Sequence, residues 1–198
     1  MKKLAVLLSL APALALAAPS NWNIDASHSQ VGFAVKHLVI SNVRGEFGAY
    51  QGKLVLDESD VTKSTVEATI DVSSISTKVA DRDAHLKSAD FFDVAKYPSI
   101  TFKSTKVAKA GPDRLQVTGE LTLHGVTKPV VLDVTTSPEV KGMFGETRRA
   151  FAATTRIQRK DYGLTWNKVV EAGPAVGDEV TIALDLEAVK DQPKAASK

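Results

Sequence analysis

The side chains of this 198-residue sequence that could do acid–base, metal or nucleophilic chemistry are few and scattered. Histidines stand at His28, His37, His85 and His124. The run Asp81-x-Asp83-x-His85 brings oxygen and nitrogen ligands close together, and with His28, His37 or His124 it can be drawn as a metal site. Neither His-x-x-x-His nor HExxH occurs, however, and the four histidines fall on separate elements. Ser29 adjoins His28, but neighbours on a strand point to opposite faces. G-x-S-x-G, a P-loop and a dinucleotide fingerprint are absent, and the lack of cysteine excludes thiol catalysis, thiolate metal sites and disulfides. The chain is predicted to be non-catalytic, with no cofactor and no metal.

Polar side chains that interrupt apolar faces are more telling. The face bearing Val31, Phe33 and Val35 continues to His37, and the face bearing Phe151 and Ile157 also carries Thr155 and Arg159. An arginine on such a face needs a partner or a rim position. Arg159 could hold a phosphate or polarise a quinone oxygen, with His37 as a second donor. It could equally pair with Asp161 or with a carboxylate on a neighbouring strand. Arg82, among Asp81, Asp83 and His85, reads as part of a solvated mixed-charge surface.

The elements that must carry these residues are strands. Val66, Ala68, Ile70 and Val72, or Val180, Ile182, Leu184 and Leu186, alternate with polar or small residues, giving each strand one dry and one wet face. Strands are predicted at about 28–37, 43–56, 64–73, 99–108, 113–124, 128–137, 149–159 and 179–189, with a short one near Trp22–Asp25. Gly45, Gly48 and Gly52 mark a bend inside the second. The turn signal around His124 and Gly125 makes the flanking strands a hairpin, so the connectivity is antiparallel. Alternation stops between Thr77 and Tyr97. A short helix over Asp81–Lys87, capped near Thr77 or Asp81, and a second turn over Asp90–Ala95 ended by Pro98 are predicted there, with Phe91 and Phe92 placed to plug a barrel end. An all-β chain of this kind buries its dry faces as a barrel or a sandwich.

Lys2 and Lys3 precede an apolar run from Leu4 to Leu16 that ends among alanines, so residues 1–18 read as a cleaved signal peptide. Residues 19–190 form one domain, and 191–198 read as a loose tail. Without Lys2 and Lys3 the 25 Lys+Arg fall to 23, against 23 Asp+Glu, and the neutral balance speaks against a nucleic-acid partner.

Several ordered motifs resemble the YceI-like family of secreted polyisoprenoid-binding proteins. They are Asp25-x-x-His28-Ser29-x-Val31-x-Phe33-x-Val35-x-His37 with Gly45-x-Phe47; Arg82-Asp83-x-His85-Leu86-x-Ser88-x-Asp90-Phe91-Phe92-Asp93, followed by Tyr97-Pro98-x-Ile100-x-Phe102; Gly119-x-Leu121-Thr122-Leu123-His124-Gly125-Val126-Thr127-Lys128-Pro129; and Arg159-x-Asp161-Tyr162-Gly163. The family usually has Phe where Tyr162 stands. The resemblance implies an extended, eight-stranded, antiparallel lipocalin-like barrel with a helical lid near 78–97, exported to the periplasm and often dimeric. It implies a long isoprenoid ligand inside, a quinone tail or a polyprenyl phosphate. The mature chain is predicted to lack a transmembrane segment, which leaves transient membrane contact open. Candidate ligand-binding residues are Val31, Phe33, Val35, His37, Phe47, Phe91, Phe92, Ile100, Phe102 and Arg159. At about 0.8 kcal/mol per buried CH₂, each five-carbon unit contributes roughly 3 to 4 kcal/mol before ordering costs. The alternative is a stress-response interaction module whose barrel is filled by these same side chains.

Overall fold

A computed structural model describes residues 18–171 and 173–192. All but the last residue of the predicted leader, and residues 193–198 of the tail, lie outside the described residues. The alternating runs become β1 (Ser20–Ile24), β2 (Gln30–His37), β3 (Ser41–Phe47), β4 (Tyr50–Leu56), β5 (Thr65–Asp71), β6 (Ile75–Ser76), β7 (Ser99–Lys109), β8 (Arg114–Leu123), β9 (Val126–Thr136), β10 (Val140–Lys141), β11 (Thr147–Gln158), β12 (Val169–Val170), β13 (Gly173–Pro174) and β14 (Val176–Lys190). One helix, α1 (Ala80–Lys87), lies between β6 and β7.

These segments make a closed eight-stranded antiparallel barrel, because three of its strands are each built from two segments. Along one edge of β14, β1 pairs with its end and β2 with its beginning. In the next row β4 lies beside β1 and β3 beside β2. In the row after that, β5 lies beside β4 and β6 beside β3. The chain then meanders through β7, β8, β9 and β11, and β14 pairs with β11 from Arg148↔Val189 to Gln158↔Glu179 to close the ring.

The predicted single strand over 43–56 is therefore broken at Gly48–Ala49. The break belongs to a crease that crosses three neighbouring strands, with 3₁₀ turns at Ala26–His28 and Val72–Ser74 on either side. The backbone stays bonded through it: the Gly48 N–H donates to Ser74 O at 3.3 Å, and the Asp71 N–H to Ala49 O at 2.8 Å. Asp25 and Asp71 cap the two turns by accepting from Ser27 N and Ser73 N. A crease of this kind lets a twisted sheet curl tightly enough to meet its own edge.

One local expectation needs correction. Val79, not Thr77 or Asp81, occupies the N-cap of α1, and no side chain caps it. Thr77 is instead held by the helix, its N–H and hydroxyl donating to Asp83 and its oxygens accepting from Arg82. The turn expected over Asp90–Ala95 is present as successive turns, with Asp93 at a left-handed φ of 46°. The hairpin at His124 and Gly125 is as expected: both residues have positive φ, and Leu123 pairs with Val126.

One polar tie crosses the crease. Arg148 on β11 donates to Asp25 at 2.7 Å, to Glu146 at 2.7 Å and to Glu187 on β14, while His28 meets Asp25 at 2.9 Å. Hydrogen bonds from Ser27, His28 and Arg148 hold the Asp25 carboxyl well below the usual carboxylate range. Its contribution to stability is fully present above the unfolded-state value of about 4 and is lost as the pH falls toward the depressed folded value. Arg148→Met is expected to lower the urea midpoint at pH 7. The gap from wild type should narrow below about pH 4, where the carboxylates it abandons become neutral; unfolding curves measured across pH check this.

Candidate ligand-binding lumen

Closure turns every dry face toward one interior. The inward side chains form two apolar clusters. One, at the lid end, includes Val31, Phe47, Ile75, Ile100, Leu123 and Ile157, and the other, at the far end, includes Trp22, Leu54, Val107, Val117, Val134 and Phe151. Phe102, Leu184 and Leu186 pack against both. Between the clusters runs a cavity of about 260 Å³ whose wall is drawn from both of them, from the lid and from both ends of β14. Val176 and Leu186 both line it; ten residues of strand at about 3.3 Å each, tilted as barrel strands are, span roughly 25 Å along the axis. The exposed surface of this wall is apolar throughout.

Glycines keep the interior from filling. A side chain at Gly45 would stand 2.4 Å from the ring of Phe33, its cross-strand partner, and one at Gly119 would stand 2.4 Å from the ring of Phe102. Both rings therefore lie back over bare backbone instead of reaching across the lumen. Phe33 continues into Phe47, and Phe47 into Phe92, at centroid separations of 5.7 and 6.0 Å.

The lid closes one end. Leu86 on α1 and Phe91 and Phe92 in the turns beyond it contribute to the cavity wall. Phe91 belongs to a three-ring cluster with His85 and Trp166, all at centroid separations of 4.9–5.0 Å, and His85 Nε2 lies 2.8 Å from Asp90. Trp166 arrives from the segment after β11, which also buries Tyr162 and Leu164 in the lid-end cluster. That segment lies where the sheet is least continuous, since β9 and β11 pair only from Phe151↔Thr136 to Thr154↔Asp133.

Nine of the ten residues singled out in the sequence face this lumen: Val31, Phe33, Val35, Phe47, Phe91, Phe92, Ile100, Phe102 and Arg159. His37 does not, which corrects the expectation. It is the last residue of β2, beside the turn into β3, and stands exposed at the rim, whereas Val35 is the last residue of that face to line the lumen. Arg159 lies beyond the end of β11 and is 3% exposed. Its guanidinium donates to the carbonyls of Gly177, Leu164, Trp166 and Val176 and to Asp178 at 3.2 Å. Burial lowers its pKa from the ordinary arginine value, while Asp178 acts in the opposite direction. Every N–H is thus engaged, the ion pair being with Asp178 and not Asp161. Arg159 organises the loop at the lid end, and only its stem is left for the wall.

The sequence reading passed over Tyr50, Leu86, Leu164 and the inward face of β14. For β14 the alternation itself was the signal. For Leu164 and Trp166 none existed, because the stretch between β11 and β14 has no period. The drawn metal site does not assemble: Asp83 is taken by Thr77 and His85 by Asp90. Among the described residues, Asp25, His28 and Glu187 do converge, but one nitrogen of Arg148 donates to both carboxylates, so the trio is a salt-bridge knot.

A family model described as the YceI-like domain matches residues 22–188, nearly the whole barrel. The chain belongs to the YceI-like family. This YceI-like chain is 36% identical over 197 residues to a UPF0312 protein of Vibrio parahaemolyticus, covering 96% of this chain and 100% of the relative. The crystal structure of BcnA from Burkholderia cenocepacia shares 25% identity with a TM-score of 0.74, over 83% of this chain and 98% of that one. A polyisoprenoid binding domain from Saccharophagus degradans, implicated in plant cell wall breakdown, shares the fold at 18% identity and a TM-score of 0.61, over 86% of this chain and 98% of that one.

Gly45→Val is expected to drive the Phe33 ring into the lumen and cut uptake of a slender apolar fluorophore by about tenfold, as overpacking of a confined site does. Adding Phe33→Ala should restore uptake. Fluorescence titration of the single and double variants, with thermal melts alongside, measures both effects.

Proposed function

We propose that this chain binds an isoprenoid lipid inside its barrel without catalysing a reaction, as an exported carrier, store or sequestering protein of the periplasm. The observation that carries this reading is the continuous apolar lumen, left open by glycines and walled from both ends of the barrel. Membership of the YceI-like family supports it, as does the shared fold of a neighbour described as a polyisoprenoid binding domain. The leader-like first residues support export.

The chemistry of the wall narrows the ligand. A fatty acid drawn wholly inside would bury a carboxylate that needs a cationic partner, and Arg159 has no donor to spare. A suitable ligand is neutral along its enclosed length. An isoprenoid quinone meets that condition entirely, and a polyprenyl phosphate meets it with the phosphate left outside. Branched five-carbon units also suit a wall of Val, Ile, Leu and Phe, since affinity there grows with apolar contact.

Trp166, packed 5.0 Å from Phe91 at the lid, is a natural reporter of occupancy. Quenching of its fluorescence by quinones carrying one, two, three or more isoprene units is expected to show affinity rising by about tenfold per added unit before it levels off. Leu184→Gln in the wall should weaken binding of all but the shortest. Affinity that ignores the number of units would contradict the proposal.

A further inference from the structure

The lid end of the barrel carries a second feature that the lumen does not explain. The turn between β2 and β3 consists of Leu38, Val39 and Ile40, with Leu38 at φ 50° and Val39 at φ 65° and the Ile40 N–H returning to His37 O at 3.2 Å. Left-handed turns of this type take Asn-Gly, and a β-branched residue there is strained. The strain is spent on exposure: Val39 is 62% and Ile40 82% accessible. Beside this turn stands the small β12–β13 hairpin, stitched to it by the Leu38 N–H to Ala175 O at 3.1 Å, and its Val169 is 80% accessible. Strain retained at an apolar tip points to a function that a better turn residue would abolish.

We infer that these paired tips dock the barrel on an anionic lipid bilayer, with Val39, Ile40 and Val169 entering the boundary between headgroups and acyl chains. Three observations select a bilayer. First, the flank is basic: Lys36, Arg44 and Lys168 are exposed and make no ion pair among the described residues. The nearby carboxylates Asp178 and Glu179 are matched by Arg159, Lys160 and Arg156, which leaves Glu171 as the opposing charge beside the tips. Second, aliphatic tips ringed by lysine and arginine are the composition that interfacial lipid binding requires. Third, the tips stand at the mouth of the lumen. Val35 and Val176 line the cavity, and Leu38 follows three residues after Val35 while Val176 pairs with His37 at the base of the turn. The inference rests on the lipid-binding reading for its purpose, but docking itself needs no ligand.

The opposite end provides an internal control. Met143 and Phe144, in the turn after β10, are 93% and 91% accessible, yet Glu146 closes that turn by accepting from the Phe144 N–H. The purified protein is mixed with vesicles of phosphatidylcholine, with or without phosphatidylglycerol and free of isoprenoid, and the bound fraction is read by flotation. The wild type is expected to partition onto anionic vesicles and to be released by high salt. Val39→Gly with Ile40→Ser should reduce partition by about tenfold while leaving the melting temperature equal or higher. Lys36→Ala or Lys168→Ala should each reduce it by about fivefold on anionic vesicles only. Met143→Ser with Phe144→Ser should leave partition unchanged. Wild-type protein that ignores anionic vesicles, a Val39/Ile40 variant that binds as well as wild type, or loss confined to the Met143/Phe144 variant would overturn the inference. Quinone uptake from detergent solution, measured on the same samples, separates failure of docking from failure of the lumen.

Discussion

The pairing of β14 with β11 along their length is the constraint on which the rest depends, because it turns a creased sheet into a ring. A sheet with free edges can shed its dry face onto a neighbour or a second layer. A closed one has a single place to put it. Once β14 holds β11 on one edge and β1 and β2 on the other, the dry faces all point at one another across the same space. What fills that space is then decided by side-chain volume alone.

Here the volume falls short. Gly45 and Gly119 face inward and let the rings of Phe33 and Phe102 fold back against the wall, so a barrel of a size that side chains can fill keeps a continuous hollow. The polar chemistry has been moved out of the way. Arg159, the one buried guanidinium among the described residues, spends its donors on loop carbonyls and Asp178, and Arg148 gathers Asp25, Glu146 and Glu187 outside the lumen. The resulting site rewards length and apolar bulk and offers no partner to a buried charge.

Much of this was legible in the sequence because period-two alternation maps directly onto the two faces of a strand. That periodicity placed the strands and the wall residues from Val31 to Val35 and from Ile100 to Phe102. It carries no information about where the barrel ends along a strand, which is why His37 falls on the interior face by periodicity and yet stands exposed at the rim, the last residue of β2. Nor could it foresee that Arg159 lies past the end of its strand, where backbone carbonyls rather than a ligand surround it. The crease was visible as glycines in one strand, but its passage through three depends on capped 3₁₀ turns whose alignment exists only after pairing. The stretch from Tyr162 to Trp166 has no period at all, and its place beside the lid is set by contacts with His85 and Phe91.

The hollow is proposed to hold a lipid tail. Mass spectrometry of an organic-solvent extract of the purified protein tests it most directly. Close to one isoprenoid, quinone or polyprenyl phosphate, is expected per chain, retained through aqueous washing. Repeated preparations whose extracts contain no stoichiometric lipid, from protein that also takes up no added quinone, would contradict it.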